Sequence, residues 1–124
     1  MKLPSGAELV IFETPFETSF TLYQTMVAEN KDRPVTSENI LGMLQAVFMN
    51  SVASKQVNVC LWECFKHCTY NALKIDKDTF QPKESREDFL TVCFEVAQEN
   101  VSPFLKNLPA LYETMLERIS KSQQ

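Results

Sequence analysis

Glycine occurs only twice in the 124 residues. A chain this poor in the one residue that adopts positive φ freely, against a usual share of ~7%, cannot be assembled from many tight turns or glycine-lined ligand loops. Helices need glycine least. The expected class is therefore mainly α: a small helical bundle of four to six helices, with a β-hairpin at the N-terminus where Gly6 falls.

The helix boundaries are written in capping residues and apolar spacing. In "KLPSGAELVIF", Pro4-Ser5-Gly6 supplies a turn, and Leu9 and Ile11 share one face of the strand that follows. A two-stranded hairpin is marginal alone, so it must lie on something apolar. "TPFE" predicts a helix start, with Thr14 as cap, Pro15 at the first helical position and Glu17 closing a capping box. Phe16, Phe20, Tyr23 and Val27 then recur on one face. A second helix is expected from about Thr36 or Ser37, with Ile40, Leu44, Val47 and Phe48 as its stripe. At "NSVASKQ" the chain either breaks, with Ser54 capping a third helix through residues 55–72, or continues as one long helix over 36–72; the break is favoured. Pro82 forbids a helix through "ALKIDKDTFQPKE". Another helix starts near Ser85, with Asp88 completing its capping box, until "VSPF" ends or kinks it. A final helix or helix pair carries Phe104, Leu108, Leu111, Tyr112, Met115 and Ile119.

With 44% hydrophobic and 23% charged residues, the composition is that of a folded globular chain, and no linker or repeat divides it. One domain over 1–124 is expected: a hairpin over 1–13, helices over 14–120 and a frayed tail over 121–124. No apolar run approaches the ~18 residues of a membrane span, and "MKLPSGAEL" lacks the apolar segment of a signal peptide, so neither membrane nor export is expected. Sixteen acidic against twelve basic residues give a net charge of −4, without a dense Lys/Arg cluster, which speaks against nucleic acid as partner. In a cytoplasmic protein the four cysteines should be thiols rather than disulfides.

The stretch "VNVCLWECFKHCTYNA" poses the question of chemistry. On one helix, Val57, Cys60, Leu61, Cys64, Phe65, Cys68 and Ala72 fall within an arc of roughly 140°, the width of an ordinary core stripe. Cys60 and Cys68 would stand ~12 Å apart, too far to share one zinc. A reduced ligand set of Cys64, His67, Cys68 and Cys93 lacks a CxxC knuckle. A thiol enzyme using Cys64, His67 and Cys93 is the catalytic alternative, but no orienting acid or oxyanion loop accompanies it. "DKD" at 76–78 reads as a polar turn, since an EF-hand's glycine and terminal glutamate are missing. No catalytic residue, metal site or cofactor is expected.

Some large apolar residues fall outside these stripes. Leu22 and Met26 lie across the first helix from Phe16 and Phe20, while Val59 and Trp62 lie outside the cysteine stripe. Such a second face is either sandwiched inside the monomer or presented to a partner. Leu22, Met26, Val59 and Trp62 are accordingly the candidate partner-binding residues.

Taken in order, "KLPSGAEL", "TPFETSFTLY", "LWECFKHCTYNALKIDKDTF" and "DFLTVCFEVAQENVSPFLKNL" resemble the tail assembly chaperones of long-tailed bacteriophages (siphophages). The likeness spans about 100 of the 124 residues, as a pattern of hydrophobic and aromatic positions with no catalytic signature. It implies a non-enzymatic factor that protects the helical tape measure protein in the host cytoplasm and is absent from the mature virion. Many such genes also yield a frameshift-extended product whose extra domain recruits tail tube subunits, and self-association is compatible with the type. The competing expectation is a small acidic phage protein that binds and inhibits a host protein.

Overall fold

The computed structural model describes residues 1–30 and 48–122. Its elements run β1 (Leu9–Ile11), α1 (Phe16–Glu29), α2 (Lys55–Phe65), β2 (Cys68–Tyr70), β3 (Leu73–Lys74), α3 (Lys83–Leu105) and α4 (Leu108–Ser122). A helical turn at 48–51 precedes α2. The mainly α class with a β element at the N-terminus is as expected. The predicted stripe residues Ile40, Leu44 and Val47 lie outside the described residues.

At the N-terminus, Gly6 N donates to the Leu3 carbonyl and Leu3 N to the Ala7 carbonyl, both at 2.8 Å, with Gly6 at φ 93°. Pro4 and Ser5 form the corner and Gly6 takes the left-handed position that closes such a short loop. One bridge, Lys2 to Glu8, completes this hairpin. β1 finds its main partner elsewhere, in an antiparallel sheet of order β1-β2-β3 with Leu9 opposite Tyr70 and Ile11 opposite Cys68.

That pairing corrects the third helix. Ser54 caps α2 as expected, its Oγ accepting from Val57 N at 3.2 Å, but the helix stops at Phe65 rather than continuing to 72. Cys68-Thr69-Tyr70 is drawn into β2, because a β-branched and an aromatic residue suit a strand already offered a partner in β1. Asn71 and Ala72, at φ 51° and 66°, make the two-residue turn into β3.

Two helix starts also differ from expectation. The first intrahelical acceptor of α1 is the Pro15 carbonyl, to which Ser19 N donates at 3.1 Å, so Pro15 is the cap and Thr14 sits one residue too early to serve. α3 starts at Lys83, two residues before Ser85, and Asp88 makes no capping box. Pro103 is carried inside α3, which ends at Leu105. The last helix continues through residue 122, past the expected start of fraying at 121.

α1, α2 and α3 pack on one another, with the sheet closing one side. The buried centre includes Leu22, Met26, Val57, Leu61, Phe65, Val92 and Val96. Each such side chain contributes about 1.5–3 kcal/mol relative to exposure. Trp62, Phe80 and Phe89 add a partly buried aromatic layer over Phe65, the nearest pair being Trp62 and Phe65 with centroids 4.9 Å apart.

α1 turns inward a different face from the one its large residues suggested, with Tyr23 half-buried at the edge of the core. Its buried residues are Ser19, Leu22 and Met26, whereas Phe16 is 68% exposed and Val27 also lies outside. Ser19 is tolerated inside because its Oγ donates to Asn100 Oδ1 at 2.6 Å, and Asn100 Nδ2 donates to the Val96 carbonyl at 2.8 Å. A satisfied polar pair thus takes the place a phenylalanine was expected to fill.

Candidate protein-binding surface

The cysteines are filler between elements, although not all on one helix. Cys64 in α2, Cys68 in β2 and Cys93 in α3 are buried, and Cys60 is half-buried against α1, its Sγ donating to Thr25 Oγ1 at 3.4 Å. Burial, with lesser repulsion from Cys68, Cys60 and Glu63, pushes the Cys64 thiol up to about 12. Burial likewise pushes Cys68 to about 11 and Cys93 to about 12. A thiol held that high carries almost no thiolate at neutral pH, and thiolate is the form that attacks or ligates. Among the described residues, no three His, Cys, Asp or Glu side chains come together as a metal site.

The four expected contact residues separate. Leu22 and Met26 are completely interior, at 0% and 1% exposure, which removes them from any surface of the monomer. They lie across α1 from the large aromatics because α1 is bound to α2 and α3 through that face. Trp62 is partly buried in the aromatic layer and serves the core. Only Val59, 64% exposed and bordering a shallow depression with Thr18, Thr21 and Cys60, stands where a partner could reach it.

Among the described residues apolar surface gathers elsewhere, and two such surfaces bear on partner contact. The first is α4. Every residue from 109 to 121 is exposed, yet Leu111, Tyr112, Met115, Leu116 and Ile119 gather on one side of the helix. Their positions follow the three- and four-residue spacing of a face built to be covered. Glu113 and Glu117 occupy the opposite side. Large exposed apolar patches rimmed by polar residues mark contact surfaces.

The second is a ribbon of rings along α1 and the end of α3. Phe16 stacks on Phe20 with centroids 5.5 Å apart, and Phe20 on Tyr23 at 6.0 Å. Phe104 lies across all three at 5.9, 5.4 and 5.3 Å. At the Phe16 end this ribbon borders a groove of about 460 Å³, between the β1–α1 connection and α3. Ile11, Phe12, Glu13 and Thr14 form one wall, Glu99, Pro103 and Phe104 the other, with Ser19 and Asn100 at its base.

The residues were visible as a helical stripe, but the stripe was assigned to the core. The one sequence signal against that assignment in α1 was the competing apolar face of Leu22 and Met26. No family model, no curated protein and no solved structure matches this chain.

Proposed function

We propose that the protein is a non-enzymatic chaperone of phage tail assembly, which binds the tape measure protein in the host cytoplasm through apolar helical surface. The observation that carries this reading is α4: a helix exposed from 109 to 121 that nonetheless groups Leu111, Tyr112, Met115 and Leu116 on one side. An amphipathic helix of this kind lays its apolar face against a complementary helical or grooved partner. A long helical client offers many such stripes, and several copies bound along it gain avidity while each contact stays reversible. The resemblance to siphophage tail assembly chaperones supplies the client, and the tail tube protein enters through a frameshift-extended product.

The test is co-expression with the tape measure protein of the same phage. Soluble client and a recoverable complex are expected from the native chain, and both should be lost with the pair Leu111→Ser and Met115→Ser. These two side chains are exposed, so the variant remains folded. A client that stays insoluble and unbound with the native chain would overturn the reading.

A further inference from the structure

We propose that the groove between the β1–α1 connection and α3 is a binding site for a cationic side chain, an arginine or lysine carried by a partner polypeptide. Four observations converge on that chemistry. First, its charge is of one sign. Glu13 stands on one wall and Glu99 on the other, and no Lys or Arg is among the described residues that line it. A second groove of about 350 Å³ shares Ile11 and Glu99 with the first and adds Glu95, extending the negative surface along the outer edge of β1. The Met1 ammonium bordering that extension is bonded to Glu8 Oε1 at 2.7 Å.

Second, the groove is aromatic on the sides the acids leave open. Phe12, Phe16 and Phe104 all line it, and the Phe16 and Phe104 rings meet at 64°. Aromatic rings beside carboxylates suit a guanidinium or ammonium, which is drawn to ring faces and to anions together.

Third, the groove holds a buried hydroxyl with no partner. Thr14 Oγ1 is buried without a hydrogen-bond partner, a consequence of Pro15 having taken over the cap of α1. That oxygen has lone pairs to accept from a guanidinium, which carries five N–H donors.

Fourth, the edge of β1 is open at this point. The register pairs Val10 with Thr69, and Phe12 N donates to the His67 carbonyl, so the backbone of Ile11 faces away from β2. The preceding outward residue, Leu9, is occupied by Met1, its N–H donating to the Met1 carbonyl at 2.8 Å. Ile11 thus offers the backbone of a partner segment one place to pair while its basic side chain enters the groove.

The site does not rest on the tail-assembly reading, and its test uses no tail protein. The probes are three capped peptides, acetyl-Leu-Arg-Leu-amide and its Gln and Glu counterparts, titrated into the full chain with methyl-labelled Ile and Thr. The Arg peptide should move the Ile11 and Thr14 methyl resonances saturably and bind at least about threefold more tightly than the Gln peptide, with the Glu peptide weaker still. Glu13→Gln with Glu99→Gln should abolish the preference for Arg, as should added salt. Phe16→Leu, which keeps an apolar side chain but removes the ring, should weaken the Arg peptide alone. Equal binding of the Arg and Gln peptides, or no movement of either methyl with any peptide, would overturn the assignment. Either result is independent of whether a tape measure complex forms through α4.

Discussion

Tyr70 in β2 donates its phenolic hydrogen to Asp88 in α3 at 2.6 Å, joining the sheet to the longest helix through a fully buried carboxylate. The same carboxylate accepts from Ser5 N at 3.0 Å and from Ser5 Oγ at 2.5 Å. The N-terminal turn, the middle strand and α3 therefore meet at one residue.

This junction makes stability depend on acid. Burial pushes the Asp88 carboxyl up, but the bonds from the Ser5 hydroxyl, the Tyr70 hydroxyl and Ser5 N together outweigh it and hold the group below its ordinary value. A carboxyl depressed in the folded state contributes stability that is fully present above the unfolded value, about 3.9, and is lost as pH falls through the folded one. The native chain should therefore lose urea resistance below about pH 4. Asp88→Asn should cost about 1–3 kcal/mol at neutral pH and remove that part of the acid slope. Urea midpoints for both proteins across the acid range decide it; parallel profiles would refute the assignment.

The β2–β3 turn holds a residue of the wrong kind. Ala72 sits at φ 66°, where a Cβ costs roughly 1–2 kcal/mol, and it is exposed, with no packing to compensate. Ala72→Gly should raise stability by about 0.5–1 kcal/mol after glycine's own entropy cost. Thermal unfolding measures this, and an unchanged or lower midpoint would count against a strained turn.

The two faces of α1 should respond unequally. Leu22→Ala opens a cavity at a fully buried position and should cost about 2–5 kcal/mol. Phe16→Ala removes a ring that is mostly exposed and stacked only on Phe20 and Phe104, and should cost about 1 kcal/mol. Chemical denaturation of the pair gives the comparison; a larger loss at Phe16 would restore the inward assignment of the aromatic stripe.

Thiol labelling should be stepwise. Cys60, half-buried beside Thr25, should react with an aromatic disulfide reagent in the folded protein. Cys64, Cys68 and Cys93 are buried and held high, and should wait for unfolding. A second thiol reacting as fast as the first would show that one of the three is reachable.

The sequence disclosed the elements better than their faces. Ser54 capped α2 where its hydroxyl could be recognised, and Pro4-Ser5-Gly6 turned the chain, because both signals are local. Cys68-Thr69-Tyr70 continued a helical stripe and still became a strand, since its partner β1 lies far back in the chain and no window around residue 68 contains it. α1 carried two apolar stripes, and hydrophobicity alone favoured the one with three aromatic rings. What turned it inward on Ser19 was a hydroxyl meeting Asn100 on another helix, which only the assembled bundle reveals. Glu13 and Glu99 gave no signal for the same reason: they become one groove only when α3 returns alongside the start of α1.

Ser5 and Asp88 are 83 residues apart. A ribosome that has delivered the first turn must still make most of the chain before that turn meets its acceptor, and β1 likewise waits for Tyr70 to emerge. During that interval an unpaired hydrophobic strand is on offer to whatever is nearby. The nascent chain thus becomes self-sufficient late, once α3 is threading out of the exit tunnel, and a product truncated before Asp88 would leave its amino-terminal end unfastened.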